Sequence, residues 1–349
     1  MKNEVDLNRY VCSVPFNSME IHNNSHFLCC PSWLPVKVIS DGRDLKEIWN
    51  DTSFVDARES ILDGSYKYCN KELCPHLSKL IKFGTAIGPI GDRKEMKVLS
   101  AVVDKTPERI IFNFDRTCNY KCPSCRVDLI VSGSDEIKRI KKTIDEIDEF
   151  YSENARYLYI TGSGDPFAST TFRNYLRDFN PSKYPNLVGI HLHTNASMWT
   201  KEMWDSMPNV HEYVKTCEIS IDAGTKETYE NHTRLGGDWD VLINNLKFIS
   251  TIPTLKSIKT SFVVQDTNYM EMETFYETMY GIFGNKVNVF FGKITNWGTF
   301  SDGEYNLKKV WDPSHPEHDK FLIELHKVWK NKNLFHNMYE FINFKKTLL

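Results

Sequence analysis

Three cysteines, Cys118, Cys122 and Cys125, share the short stretch Arg116-Thr-Cys-Asn-Tyr-Lys-Cys-Pro-Ser-Cys-Arg126, directly after the apolar run 109–114. Three thiolates are an incomplete ligand set. A structural zinc ion takes four closed ligands, and an ordinary [4Fe–4S] cluster takes four cysteines. Three cysteines leave one iron with an open position, where a metal site can bind a ligand and do chemistry. A zinc knuckle completed by a distant histidine or cysteine is the alternative that the triplet by itself leaves open.

A second set lies near the N-terminus. Cys12, the pair Cys29-Cys30, Cys69 and Cys74 supply four thiolates with one to spare. Adjacent residues on a strand face opposite ways, so only one of Cys29 and Cys30 is expected to reach a shared centre. Here too the alternative is zinc, stabilising a small loop-rich domain. The ninth cysteine, Cys217, stands alone. If its strand alternates, Glu218, Ser220 and Asp222 share one face, and Cys217 points the other way as a buried structural thiol.

These residues need a frame to position them. From residue 109 onward strands and helices alternate. Strands are expected at Ile110–Phe114, Tyr157–Thr161, Leu187–Thr194, Glu218–Asp222, Ile258–Gln265 and Lys286–Ile294. Helices are expected near 135–151, 171–179, 201–206, 238–250 and 269–283; in the first, Ile137, Ile140, Ile144 and Ile147 repeat at helical spacing. Near-continuous apolar strands separated by helices indicate a parallel sheet, and right-handed crossovers would curl it into a full or partial barrel. Residues 1–95 look loop-rich, 84–108 look like a linker, and 298–349 carry two helical stretches near 319–331 and 336–346. His191 and His193 share a strand face, and His315 and His318 share a proline-containing loop; either pair offers metal ligands or acid–base groups, or plain polar packing.

The chain has 349 residues, 41% hydrophobic and 26% charged, with a net charge of −3. That balance is ordinary for a soluble globular protein and argues against a broad basic face for nucleic acid. No run of apolar residues is long enough to span a membrane, and the first six residues, Met-Lys-Asn-Glu-Val-Asp, are too polar for a secretory signal. A cytoplasmic location is expected, where nine cysteines read as metal or catalytic ligands rather than disulfides.

The CxxxCxxC triplet at the end of a first strand resembles the signature of the radical S-adenosylmethionine (SAM) family, and the resemblance covers roughly residues 109–295. Gly162-Ser163-Gly164-Asp165-Pro166, after the second strand, resembles the family's GGEP motif, with Ser163 for a glycine and Asp165 for a glutamate. Thr194-Asn195 resembles the TN pair bordering the SAM site, and Ser220-Ile-Asp222-Ala resembles the family's S-[IL]-D-[GA] element. Arg234 lies in a segment similar to R-x-G-G-x-W/F-D, where a guanidinium suits the SAM carboxylate. Gln265 ends the fifth strand and would line the pocket. Ser124 stands where the family has an aromatic residue, so adenine packing is expected from Tyr120 or Phe114.

The N-terminal cysteines, with Leu45-Lys-Glu-Ile-Trp-Asn50 and Arg58, look like a SPASM/twitch auxiliary-cluster module. The resemblance implies a partial (β/α)6 radical SAM barrel at 96–297, an auxiliary domain and linker at 1–95, and a helical extension at 298–349. It implies a SAM-binding [4Fe–4S] cluster, an auxiliary [4Fe–4S] cluster, and a 5′-deoxyadenosyl radical that takes a hydrogen atom from a peptide or a sugar- or cyclitol-like substrate. Oxidation, crosslinking or epimerisation would follow, with electrons from a flavodoxin- or ferredoxin-type reductant. The rival is a non-catalytic zinc or iron–sulfur protein serving interaction or electron transfer.

Overall fold

The computed structural model describes residues 5–96, 100–330 and 341. The chain packs as two compact units. The first comprises Met1–Asp115, Gly133–Ser163 and Asn180–Gly189, and the second Arg116–Ser132, Gly164–Phe179 and Ile190–Leu349.

In the first unit, β2 (Ser18–His22) pairs antiparallel with β3 (Ser25–Phe27), which pairs with β4 (Val38–Ile39). On its other side β2 runs parallel to β6 (Arg109–Asn113), and β6 runs parallel to β7 (Tyr157–Ile160). An N-terminal strand therefore extends the sheet at β6. β1 (Tyr10–Cys12) pairs with β5 (Ile90–Asp92) in a separate ribbon. The helix Ser134–Phe150 buries Ile140, Ile144 and Ile147, the stripe its periodicity indicates.

Arg58 organises this unit. Its side chain has no exposure and lies 4.2 Å over the Trp49 ring. It donates to the carbonyls of Pro15, Trp49 and Ala101 and to Asn50 Oδ1. Burial pushes the guanidinium down to about 10, with Tyr151 acting against that. Trp49 Nε1 donates to the Lys105 carbonyl, and Asn50 exchanges two hydrogen bonds with Val103. The stretch expected as a linker is thus pinned: β5 is a paired strand, and backbone groups at 101, 103 and 105 are bound by side chains from 49–58.

In the second unit, β8 (Gly189–Thr194), β9 (Val214–Ser220), β10 (Ser257–Val264) and β11 (Val287–Lys293) run parallel in that order. The helices Lys201–Asp205, Trp239–Ser250 and Met272–Phe283 lie between successive strands in the chain. One sheet face is apolar: Leu192, Cys217, Ile219, Ile258, Phe262, Val289 and Phe291 are buried, and Phe275 of the last helix stacks 5.0 Å from Phe262. Cys217 is on this face, as alternation requires.

The opposite face is polar. His191 bonds Thr216 at 2.8 Å, His193 bonds Ser220 at 2.9 Å, and Glu218 pairs with Lys259 at 3.0 Å. Both histidines are satisfied by hydroxyls, and His315 and His318 by the Leu307 and Val310 carbonyls. β9 starts four residues earlier than expected. The tail forms helices at Asp302–Lys308 and His318–Trp329, and the expected helix near 336–346 lies outside the described residues. No helix among the described residues is long and apolar enough to cross a membrane.

Replacing Arg58 by Met should lower the unfolding free energy by at least about 3 kcal/mol. Several buried acceptors lose their donor, and each costs about 1–3 kcal/mol. Denaturant unfolding of the full chain checks this, and a variant unfolding with the wild type contradicts it.

Candidate iron–sulfur and S-adenosylmethionine site

The cysteine loop belongs to the second unit. Its entry is fixed by Thr117, whose carbonyl accepts from Asp165 N–H at 2.8 Å and whose hydroxyl bonds Ser132. Cys118 N–H donates to the Ile130 carbonyl, and Lys121 N–H to that of Leu235. A tight turn follows, in which Cys125 and Arg126 N–H both reach the Cys122 carbonyl. Cys118 and Cys122 are buried and Cys125 is exposed.

Each thiol has its own N–H donor. Asn195 Nδ2 lies 3.8 Å from Cys118 Sγ, Arg234 Nη1 3.5 Å from Cys122 Sγ, and Arg126 Nη2 3.5 Å from Cys125 Sγ. Burial pushes the Cys118 thiol up to about 11, and Asp165 adds to it. Burial also raises Cys122, while Arg234 opposes. Two buried thiols that hold their protons must release them to bind iron, and donors already aimed at the sulfurs compensate the charge that results. This donor set fits a cluster of anionic sulfur ligands.

The residues expected around SAM prove to be tied to one another. Asp165 is fully buried. Its Oδ1 accepts from Phe167 and Ala168 N–H, and its Oδ2 from the Thr194 hydroxyl at 2.7 Å and Asn195 N–H at 2.8 Å. Burial pushes this carboxyl up, and the four donors act against it. Asp165 therefore clamps the end of β8 to its own loop. Gly164 sits in the bend just before it.

Asp222 follows β9 with φ +61°. It accepts from Val263 N–H at 2.7 Å and from Arg234 Nη2 at 2.6 Å. Burial works against the Arg234 charge, but Asp222 and Cys122 outweigh it and hold the guanidinium above its usual range. In this arrangement Arg234 faces Asp222 and a cysteine sulfur. The reason is local: Gly237 leaves no room for a Cβ, which would lie 2.6 Å from the Tyr229 ring and 2.9 Å from the Arg234 carbonyl. The segment can then fold back over Tyr120.

Tyr120 is buried, its hydroxyl 3.1 Å from that of Tyr229. Ser220 joins His193 to Ser261. Gln265 is buried, its backbone bonded to Asn268. In the first unit, Gly162 N–H donates to Asn113 Oδ1 at 2.7 Å, and Ser163 Oγ to the Asn113 carbonyl at 2.9 Å. A Cβ at Gly162 would sit 3.0 Å from that Asn113 oxygen, so glycine permits the approach.

The N-terminal cysteines gather in the first unit. Val11, Phe16, Ile61, Tyr66, Leu77, Leu80 and Ile90 form a buried core, with Cys74 among them and Cys12 and Cys69 against its edge. Asn70 N–H donates to the Trp33 carbonyl and Trp33 N–H to that of Cys30, joining the two cysteine loops. Burial raises the Cys12 thiol to about 11, with Cys74 adding to it, and Cys69 to about 12, with Cys12 and Cys74 adding. Cys29 is raised by burial, then by Cys12, Cys30 and Cys74. The charged neighbour raising Cys30 after burial is instead Glu20. Cys12, Cys69 and Cys74 thus lie at one core.

Among the described residues, no three His, Cys, Asp or Glu side chains gather tightly enough to hold a single metal ion. A four-iron cluster makes no such demand, because each thiolate binds its own iron. Arg126, Thr117, Asn113 and Tyr229 were not among the residues singled out from the sequence. Only Arg126, as a cation beside the last cysteine, carried a local signal.

Exchanging Cys29 for Ala should remove iron from the N-terminal set, and exchanging Cys30 should not. Iron and sulfide analysis of the anaerobically reconstituted variants checks this; iron loss in Cys30→Ala alone would reverse the assignment.

No protein-family model matches the chain, and no curated protein matches its sequence. It is similar to solved structures at low identity. The Streptococcus suis SuiB structure bound to S-adenosylmethionine is 15% identical over 81% of this chain, with a TM-score of 0.45. The structure of native anSMEcpe with bound AdoMet and the Cp18Cys peptide is 16% identical over 66% of this chain and 63% of that one, with a TM-score of 0.46. The structure of TYW1 with a lysine–pyruvate adduct is 14% identical over 65% of this chain and 72% of that one, with a TM-score of 0.38. The chain spans 56% of the length of the SuiB chain. Two of these three structures hold S-adenosylmethionine.

Proposed function

We propose that this chain is a radical SAM enzyme. Cys118, Cys122 and Cys125 would hold the SAM-binding [4Fe–4S] cluster, and Cys12, Cys29, Cys69 and Cys74 an auxiliary one. The observation that carries the reading is the triplet itself: three thiols on one loop, each met by a separate N–H donor. When bound and reduced, such a cluster with SAM supplies a 5′-deoxyadenosyl radical able to take a hydrogen atom from an unactivated carbon.

The protein's own residues bind and orient. Asp165 holds the end of β8, with Thr194 and Asn195, against the loop that follows β7. Asp222 and Arg234 hold the end of β9 against the cysteine loop. Ser220, Gln265, Thr194 and Asn195 stand at strand ends, where an α/β enzyme places ligand contacts. Six βα units from β6 to β11 are the elements of which the family's partial barrel would be built.

The polar face of β8–β10 supports a polar substrate, peptide or small molecule. A parallel sheet ordinarily buries apolar side chains on both faces. Here His193, Glu218 and Lys259 share one row across three strands, and His191 and Thr216 lie in the row beneath. Paired with their neighbours, they make this face polar and give it both charges. The reductant is proposed to be a flavodoxin- or ferredoxin-type protein.

The test is 5′-deoxyadenosine formation by anaerobically reconstituted protein given SAM and dithionite. The wild type should form it, and Cys122→Ala should lose it while retaining the iron of the N-terminal set. Cleavage persisting in Cys122→Ala would refute the assignment, as would zinc instead of iron in the purified protein.

A further inference from the structure

The donors aimed at the triplet differ in charge. Asn195 offers Cys118 a neutral amide, whereas Arg126 and Arg234 bring guanidiniums to Cys125 and Cys122. Both guanidiniums carry their charge at neutral pH. Arg234 is largely enclosed, its side chain 11% exposed, and Asp222 at 2.6 Å is its counter-ion. Arg126 is buried as well, and its Nη1 donates to the Arg116 carbonyl at 2.9 Å, which fixes the head group.

A cluster's reduction potential depends on net charge, hydrogen bonds to sulfur and burial. Adding one electron makes the cluster more negative by one charge. A cation at a ligand sulfur stabilises that reduced form and raises the potential, and an anion behind the cation offsets part of the effect. The arrangement Cys122–Arg234–Asp222 has this form: Arg234 Nη1 reaches the sulfur, Nη2 the Asp222 carboxylate and Nε the Ile221 carbonyl, and Val263 N–H donates to the other carboxylate oxygen.

Resting on the cluster assignment above, we propose that Arg234 and Arg126 are positioning residues that raise the reduction potential of the cluster on Cys118, Cys122 and Cys125, and that Asp222 sets how far Arg234 raises it. Opposite signs follow for two residues that touch each other. Loss of the Arg234 charge lowers the potential. Loss of the Asp222 charge leaves Arg234 uncompensated and raises it. A purely structural role would have both substitutions disturb the loop in the same way.

The experiment is a potentiometric titration of the anaerobically reconstituted full chain without SAM, following the electron paramagnetic resonance signal that is missing in Cys122→Ala. Arg234→Gln and Arg126→Gln should shift the midpoint to more negative potential, and Asp222→Asn to more positive potential, at wild-type iron and sulfide content. Unchanged midpoints in both arginine variants at full iron loading would overturn the proposal. So would shifts of the same sign in Arg234→Gln and Asp222→Asn. If circular dichroism shows Arg234→Gln unfolded, Arg126→Gln decides, with its negative shift required. If Cys122→Ala binds as much iron as the wild type, the cluster assignment itself falls, and the tuning with it.

Discussion

Everything at the candidate site depends on holding three thiols close together where they can become thiolates. Buried like charges repel, and an uncompensated buried charge is costly. Arg234 meets that constraint from the strand side, lying between Asp222 after β9 and Cys122 on the loop. Asp165 meets it from the backbone side, joining the loop entry at Thr117 to the end of β8. A carboxylate follows one strand, a carboxylate follows another, and both are used to aim groups at sulfur. Gly237 lets the arginine's segment approach at all. Motif, strand ends and glycine turn form one electrostatic unit.

The N-terminal cysteines depend on a different device. There the loops are short and the hydrophobic core is small, so side-chain to backbone bonds stand in for regular structure. Arg58, Trp49 and Asn50 bind backbone groups from Pro15 to Lys105, and Asn70 and Trp33 join the two cysteine-bearing loops. Cys12, Cys69 and Cys74 lie at one core, and these bonds fix the stretches that carry them. A metal centre there would add its binding free energy to the folding of the same region.

The helices and parallel strands were legible because their signals are local. Isoleucines at helical spacing located Ser134–Phe150 to within one residue, and simple alternation placed Cys217 on the apolar face and Ser220 on the polar one. The N-terminal strands were not legible. They are two to five residues long, and β1 finds its partner about 80 residues away. Nothing near Ser18–His22 announces that it runs beside β6. At the site, residue types and positions were readable but partnerships were not. Arg234 and Asp222 were both recognised from their motifs as groups for SAM, yet in space each is the other's partner.

The central claim is that the triplet's cluster has an open iron that S-adenosylmethionine occupies. The most direct measurement is the electron paramagnetic resonance spectrum of the dithionite-reduced, reconstituted protein with and without SAM. SAM should change the signal that depends on Cys122 and leave the signal that depends on Cys29 unaltered. Identical spectra with and without SAM, at full iron loading, would contradict it.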